Sequence, residues 1–167
     1  MPQLLILAFG LIIAWFFYPL LFGAVWQPAS KAIIEKMLMM AEVSPSDVLY
    51  DLGSGDGRIV ITASKGFGAT AVGIEIDPLL VYISRMRIRK EGLEGKARIV
   101  CGNLFKNSIR GATVVTVFLR QGANNMLREK LKSELEKGSK VVSYVHRFEG
   151  WEPIKSDEES KIFLYLI

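Results

Sequence analysis

The sequence predicts an α/β fold, a mostly parallel sheet with helices on its faces and an antiparallel last strand, preceded by a transmembrane helix. Three observations carry this expectation. From Ala29 onward the apolar period alternates between strand-like and helix-like segments, the signature of a sheet sandwiched by helices. A glycine-rich turn, Gly53-Ser54-Gly55-Asp56-Gly57, separates a buried strand pattern from a helical one. Ahead of both, Leu4 to Trp26 holds no charged, amide or hydroxyl side chain apart from Tyr18.

The elements follow in order. Ala32, Ile33, Lys36, Met37 and Met40 support an amphipathic helix that ends near Val43, where Ser44-Pro45-Ser46-Asp47 breaks it. Val48 to Leu52 reads as a first, buried strand and Arg58 to Lys65 as the helix opening after the glycine turn. A second strand runs from Ala71 to Ile76, and Asp77-Pro78 supplies an N-cap and first-turn proline for a helix to about Lys90. Ala97 to Cys101 and Val114 to Leu119 make the third and fourth strands. A helix with Leu127, Leu131 and Leu135 on one face comes next, with Gly138 as its stop. Val141 to Val145 is a fifth strand. The stretch between it and the final apolar strand, Ile162 to Ile167, is too short for a full crossover helix, so the chain ends as a tight β-meander.

The chain has 167 residues, 50% apolar and 23% charged, which suits one domain of ordinary size. Its single cysteine, Cys101, excludes an internal disulfide and a cysteine cluster for structural zinc, and fits a reducing compartment. Leu4 to Trp26 is long enough to span a bilayer, for which about 20 residues suffice. Met1-Pro2-Gln3 lacks the basic cluster of a cleaved signal peptide. Lys31 and Lys36 come soon after the apolar segment, so the positive-inside rule places the C-terminal domain in the cytoplasm. The expectation is therefore a single-pass membrane protein, with residues 1–27 as anchor and residues 28–167 as a domain on the cytoplasmic side.

Glycines in a turn at the carboxyl end of a strand let the backbone approach a ligand closely, the usual binding position in open parallel sheets. A dinucleotide fingerprint needs Gly-x-Gly-x-x-Gly, whereas Gly53, Gly55 and Gly57 alternate and position 58 is Arg. Asp51 and Asp56 flanking the turn would repel a pyrophosphate and favour a ligand carrying an ammonium and a sulfonium. Glu75 ends the second strand, where a carboxylate can accept ribose hydroxyls.

At these residues the sequence resembles the class I S-adenosylmethionine-dependent methyltransferases. Within that superfamily it is similar to the small protein-lysine N-methyltransferases that include an archaeal enzyme and membrane-anchored mitochondrial enzymes acting on the ATP synthase c-subunit and the adenine nucleotide translocase. The carriers are Tyr50 to Ile61, Val72-Gly73-Ile74-Glu75, Gly102-Asn103-Leu104-Phe105 and Thr113 to Leu119. The family's aromatic-x-Pro-Thr element becomes Trp26-Gln27-Pro28-Ala29 here, with Ser30 as a substitute hydroxyl. The resemblance implies a Rossmann-like class I methyltransferase sheet and S-adenosylmethionine as cofactor. Asp51, Gly53, Ser54, Gly55, Asp56, Gly57 and Glu75 would bind it, with Asn103 and Leu104 on the adenine side.

Methyl transfer needs an in-line approach of a nucleophile to the sulfonium methyl, so positioning supplies most of the acceleration and neither a catalytic triad nor a metal is required. A lysine amine, with a pKa near 10.4, must enter a site that disfavours its charged form. Phe118 and Leu119 are the expected wall of that site, with Tyr144 and Trp151 as further candidates. His146 is the only histidine and lies after the fifth strand, away from the glycine turn. Arg85, Arg87, Arg89 and Lys90 form a basic helix end that could touch acidic lipids or nucleic acid, and nucleic acid is not the expected partner. The expected activity is lysine methylation of a membrane or membrane-associated protein. The alternatives are a lipid headgroup or quinone as acceptor, or a non-catalytic cofactor-binding interaction protein.

Overall fold

Most strands are runs of Val, Ile and Leu too apolar to leave either face in water, and the chain covers both. The computed structural model describes residues 28–167. They form α1 (Lys31–Met40), β1 (Val48–Leu52), α2 (Arg58–Phe67), β2 (Thr70–Glu75), α3 (Pro78–Lys90), β3 (Ala97–Cys101) and β4 (Val114–Val117), then α4 (Gln121–Glu134), β5 (Lys140–Tyr144), β6 (Lys155–Asp157) and β7 (Ile162–Leu166). One seven-stranded sheet results, in the order β3-β2-β1-β4-β5-β7-β6. The first five strands are parallel, and β7 runs antiparallel to both β5 and β6. The predicted β-meander is present, with no helix between β5 and β7.

Strand alternation sends side chains into two cores. Ile34, Met37 and Leu38 of α1, Val60 and Ala63 of α2 and Val81 and Ile88 of α3 pack on Leu49, Ala71, Ile99 and Val114 on one face. On the other face Leu127, Leu131 and Leu135 meet Val115, Val117, Val141 and Phe163, with Ile109, Ala112 and Phe148 supplied by connections. Caps fix two helix starts. The Ser30 hydroxyl accepts from Ile33 N at 3.3 Å, and Asp77 Oδ1 accepts from Leu79 N at 2.8 Å, with Pro78 in the first turn. Gly138 stands beyond the end of α4, which stops at Glu134 with Leu135 as its cap.

Two expectations change. Val114–Val117 is shorter than expected, so Phe118 and Leu119 lie past the ladder, on the connection into α4. The membrane placement is corrected more substantially. Among the described residues no helix is long and apolar enough to cross a membrane, so nothing there supports a single-pass protein with its domain on the cytoplasmic side. The segment Leu4 to Trp26, on which that expectation and the 1–27 anchor rested, lies outside the described residues.

Gly57 shows how tightly the glycine turn is bound to the fold. Its φ is +76°, and an added Cβ would fall 2.8 Å from Ser84 Cβ on α3. Gly57→Ala should therefore cost about 2 kcal/mol from the left-handed backbone and the forced shift of α3. Gly111, at φ +81° with open space around it, should cost only about 1 kcal/mol when changed to Ala. Scanning calorimetry should show the larger drop in melting temperature for Gly57→Ala, and equal drops would remove the packing explanation.

Candidate functional site

Parallel pairing of β1 with β2 and β4 brings the expected residues to one edge of the sheet. Gly53, Gly55 and Gly57 all have positive φ, of 81°, 54° and 76°, which turns the chain sharply out of β1 and into α2. No acid sits in the first turn of α2, and the positive end of its dipole faces the turn at the end of β1. The two oxygens of Glu75 hold the turn in place. Oε2 accepts from Gly55 N at 2.8 Å, while Oε1 accepts from Ile76 N at 2.8 Å and Asp77 N at 2.9 Å. A carboxylate offers about four lone-pair directions, so one on Oε2 stays open for a ribose hydroxyl. Glu75 is thus a strut between two loops as well as a candidate ligand.

Asp51 is buried under the turn, 2% exposed, and accepts a hydrogen bond from Thr116 Oγ1 at 2.8 Å. Burial pushes its carboxyl up to about 7, against the pull of Thr116 and with help from the charges of Glu75 and Asp56. The β1–β4 register places Thr116 directly beside Asp51, and a hydroxyl in the middle of a wholly buried strand was the sequence signal for that partnership.

Asp56 plays a different part from the expected one. Arg58 grips it with Nε on Oδ1 and Nη2 on Oδ2, both at 2.8 Å, and Arg87 Nη1 reaches Oδ2 at 2.5 Å. Burial opposes its charge, but Arg58 and then Arg87 prevail and keep the carboxyl below its ordinary range. Its charge is committed to these arginines. Arg58 Nη1 also donates to Ala29 O at 2.9 Å, tying the loop before α1 to the glycine turn.

Of the other expected cofactor residues, Ser54 turns inward: a Cβ on Gly73 would meet Ser54 Oγ at 2.5 Å, and this buried hydroxyl has no partner among the described residues. Asn103 Oδ1 accepts from Phe105 N at 2.8 Å, shaping the loop after β3. Leu104 and Leu119 converge over Gly53, where an added Cβ would stand 4.0 Å and 2.9 Å from their Cδ2 atoms. Ser30 is engaged in capping α1 and does not simply replace the family threonine.

A profile of the ANTKMT methyltransferase domain matches residues 51–155, from the first acid of the glycine turn to the start of β6. The chain belongs to this methyltransferase family. It is 43% identical over 149 residues to a protein-lysine N-methyltransferase of Saccharolobus islandicus, covering 85% of this chain and 92% of that one. Identity to the ATP synthase c-subunit lysine N-methyltransferase of Rattus norvegicus is 37%, and to the adenine nucleotide translocase lysine N-methyltransferase of Mus musculus 33%. These matches cover 75% and 81% of this chain but only 57% and 59% of the relatives. A crystal structure of an RNA methyltransferase from Salinibacter ruber, in complex with S-adenosyl-L-homocysteine, is 40% identical with a TM-score of 0.82, covering 84% of this chain and 94% of that one. The orphaned Ser54 hydroxyl and the positive-φ glycines fit the S-adenosylmethionine that this family of methyltransferases uses.

Across β1 from β2 lie the ends of β4 and β5. There Phe118 and Tyr144 stack with ring centroids 4.5 Å apart at a tilt of 57°. Trp151 is elsewhere: it stacks on Phe148 at 5.0 Å and belongs to the second core with Tyr165. Two of the arginines near the end of α3 are engaged internally and a third in a surface pair. Arg85 donates twice to Ile99 O, Arg87 holds Asp56, and Arg89 stands 3.8 Å from Glu94.

The raised Asp51 carboxyl gives a pH signature. Its proton is kept in the folded chain but released near pH 4 on unfolding, so Asp51 costs stability progressively as pH rises from 4 to about 7. A cationic ligand beside it favours the ionised form. Between pH 5 and 7 cofactor affinity should therefore rise by up to about tenfold per unit, with proton release, and level off above. Calorimetry in buffers of different ionisation enthalpy measures this, and Asp51→Asn should flatten the slope. A slope unchanged in that variant would remove Asp51 as its source.

Proposed function

We propose that this chain methylates the ε-amino group of lysine side chains in a protein acceptor, using S-adenosylmethionine. The observation that carries this reading is the match to a protein-lysine N-methyltransferase along 92% of that protein's length. The cofactor supplies an electrophilic methyl group. Asp51, Gly53, Gly55, Gly57 and Glu75 would hold it at the end of β1, with Ser54 and Asp56 shaping the turn from beneath and Asn103 and Leu104 bordering the adenine. Phe118 and Leu119, with Tyr144, would line the acceptor channel. An apolar wall disfavours the charged lysine, so the amine enters as the free base, its proton lost to water, and its nitrogen lone pair forms the new bond as the carbon–sulfur bond breaks. No side-chain base is required for this.

Within that reading, the acceptor we favour is a lysine of a membrane protein, because two relatives are named for the ATP synthase c-subunit and the adenine nucleotide translocase. An RNA acceptor is the second reading, since the 40%-identical structure is described as an RNA methyltransferase. The engagement of Arg85 and Arg87 within the fold argues against it, because phosphate binding needs uncommitted cations. The test is to incubate the protein with labelled cofactor and, separately, with membrane proteins, RNA and extracted lipid. Label as methyl-lysine in the protein fraction is expected. Label confined to RNA or lipid would overturn the lysine reading, and label nowhere would favour a non-catalytic cofactor binder.

A further inference from the structure

The chain leaves β5 through a strained turn. Val145 has φ +71°, a left-handed conformation that β-branched residues rarely adopt, and His146 N donates to Tyr144 O at 3.0 Å, which closes a γ-turn around it. Backbone strain of this kind persists only where its surroundings enforce it, and it gathers at sites that act on ligands.

The enforcing groups are buried. Asn124, on the first turns of α4 and 0% exposed, donates through Nδ2 to Ser143 Oγ at 3.1 Å and to His146 O at 2.9 Å. The Ser143 hydroxyl donates to the same His146 carbonyl. A carbonyl can only accept, so the orientation of the amide is fixed, and its Oδ1 is left buried without a partner among the described residues. Around this knot Gln121 Nε2 donates to Arg147 O at 2.7 Å and Arg128 Nη1 to Glu149 O at 2.6 Å. Three side-chain bonds from α4 thus grip the main chain just after β5, and a fourth holds the Ser143 side chain. An unfavourable backbone and an orphaned amide oxygen coincide within one turn, directly beside the Phe118–Tyr144 pair. Neither is needed to close a sheet, since a glycine and an aliphatic residue would do so without cost.

We propose that Asn124 is a positioning residue: through Ser143 and the His146 carbonyl it holds Val145 in the left-handed γ-turn that sets Tyr144 against Phe118 on the acceptor side of the site. This inference rests on the lysine reading. The device acts on acceptor alignment and leaves the cofactor side untouched, because the glycine turn and Glu75 share no bond with it. Its substitutions therefore separate alignment from stability. Val145→Asn keeps the positive φ, which asparagine tolerates, whereas Val145→Gly relieves the strain but frees the turn. Asn124→Ala removes both Nδ2 bonds.

The experiment measures cofactor affinity, melting temperature and steady-state methylation of poly-L-lysine for the full chain and these three variants. Nuclear magnetic resonance contacts between the Tyr144 and Phe118 rings are recorded alongside. All variants should bind S-adenosylmethionine within about threefold of wild type. Val145→Asn should keep at least half of the wild-type kcat/KM, and Val145→Gly should lose at least fivefold without a drop in melting temperature. Asn124→Ala should lose tenfold or more together with the ring contacts. Wild-type turnover in Val145→Gly, or ring contacts intact in Asn124→Ala, would overturn the proposal. If wild type leaves poly-L-lysine unmethylated, turnover is read on the membrane-protein fraction instead; label confined there to lipid or RNA fails the lysine reading, and the ring contacts then decide whether Asn124 sets the pair.

Discussion

Glu75→Ala should lower cofactor affinity by about a hundredfold while the sheet stays folded. Three N–H groups lose a charged acceptor at once, and bonds of that kind contribute about 1.5–3 kcal/mol each. Part of the loss falls on the free protein, because Gly55 and the loop into α3 are no longer pinned to the same side chain. The remainder falls on the cofactor, which finds neither an open lone pair nor a shaped turn. Glu75→Gln should rescue little. Both carboxylate oxygens face donors, so a terminal amide must turn its own N–H groups toward Gly55 N or toward Ile76 N and Asp77 N. Titration calorimetry with circular dichroism as the fold control measures both variants. Affinity within threefold of wild type in Glu75→Ala would sink the assignment of this carboxylate.

Phe118→Ala should reduce methyl transfer by about thirtyfold and change cofactor affinity by less than threefold. The ring stands on Tyr144 at the ends of β4 and β5 and, half-buried, packs against the core. On the proposed acceptor role, truncation would open the channel to water, restore the charged lysine and weaken its alignment. Since Phe118 is half-buried, some loss of stability accompanies the change, so the ratio of turnover to cofactor binding at a temperature well below unfolding is the decisive quantity. Parallel losses in turnover and cofactor affinity would mean that Phe118 belongs to the cofactor side.

The parts of the fold that were legible in the sequence were those written in local chemistry. Val48–Leu52 is a largely buried apolar run and Ala97–Cys101 alternates buried and exposed at its start; both end where expected. Asp77-Pro78 marks the start of α3 because cap and proline act within one turn. β6 went unread, since Lys155-Ser156-Asp157 has no apolar alternation and becomes a strand only by pairing with β7. The ion pairs of Asp56 went unread for a related reason. Its second arginine is Arg87, brought to it by the packing of α3, and no pattern along the chain announces that meeting. Trp151 looked like a candidate wall beside Tyr144, yet the loop after β5 folds back over α4 and delivers it to the second core. Asn124 gave no signal at all, because a buried amide on a helix reads as a surface residue until its partners are known.

The short β6 has a consequence for the molecule's life in a crowded solution. An unpaired strand rim is a template on which other chains add, and a parallel sheet of apolar strands would be a hazardous one. Here the rim beside β7 is three residues long, and both of its charged side chains are paired: Asp157 with Lys36 of α1, and Lys155 with Glu42 at 2.9 Å on the surface. A stranger's backbone arriving at that rim finds almost no ladder to extend, and it must bring charges close to ion pairs that already have partners. The meander therefore shields the sheet from edge-to-edge aggregation on that side.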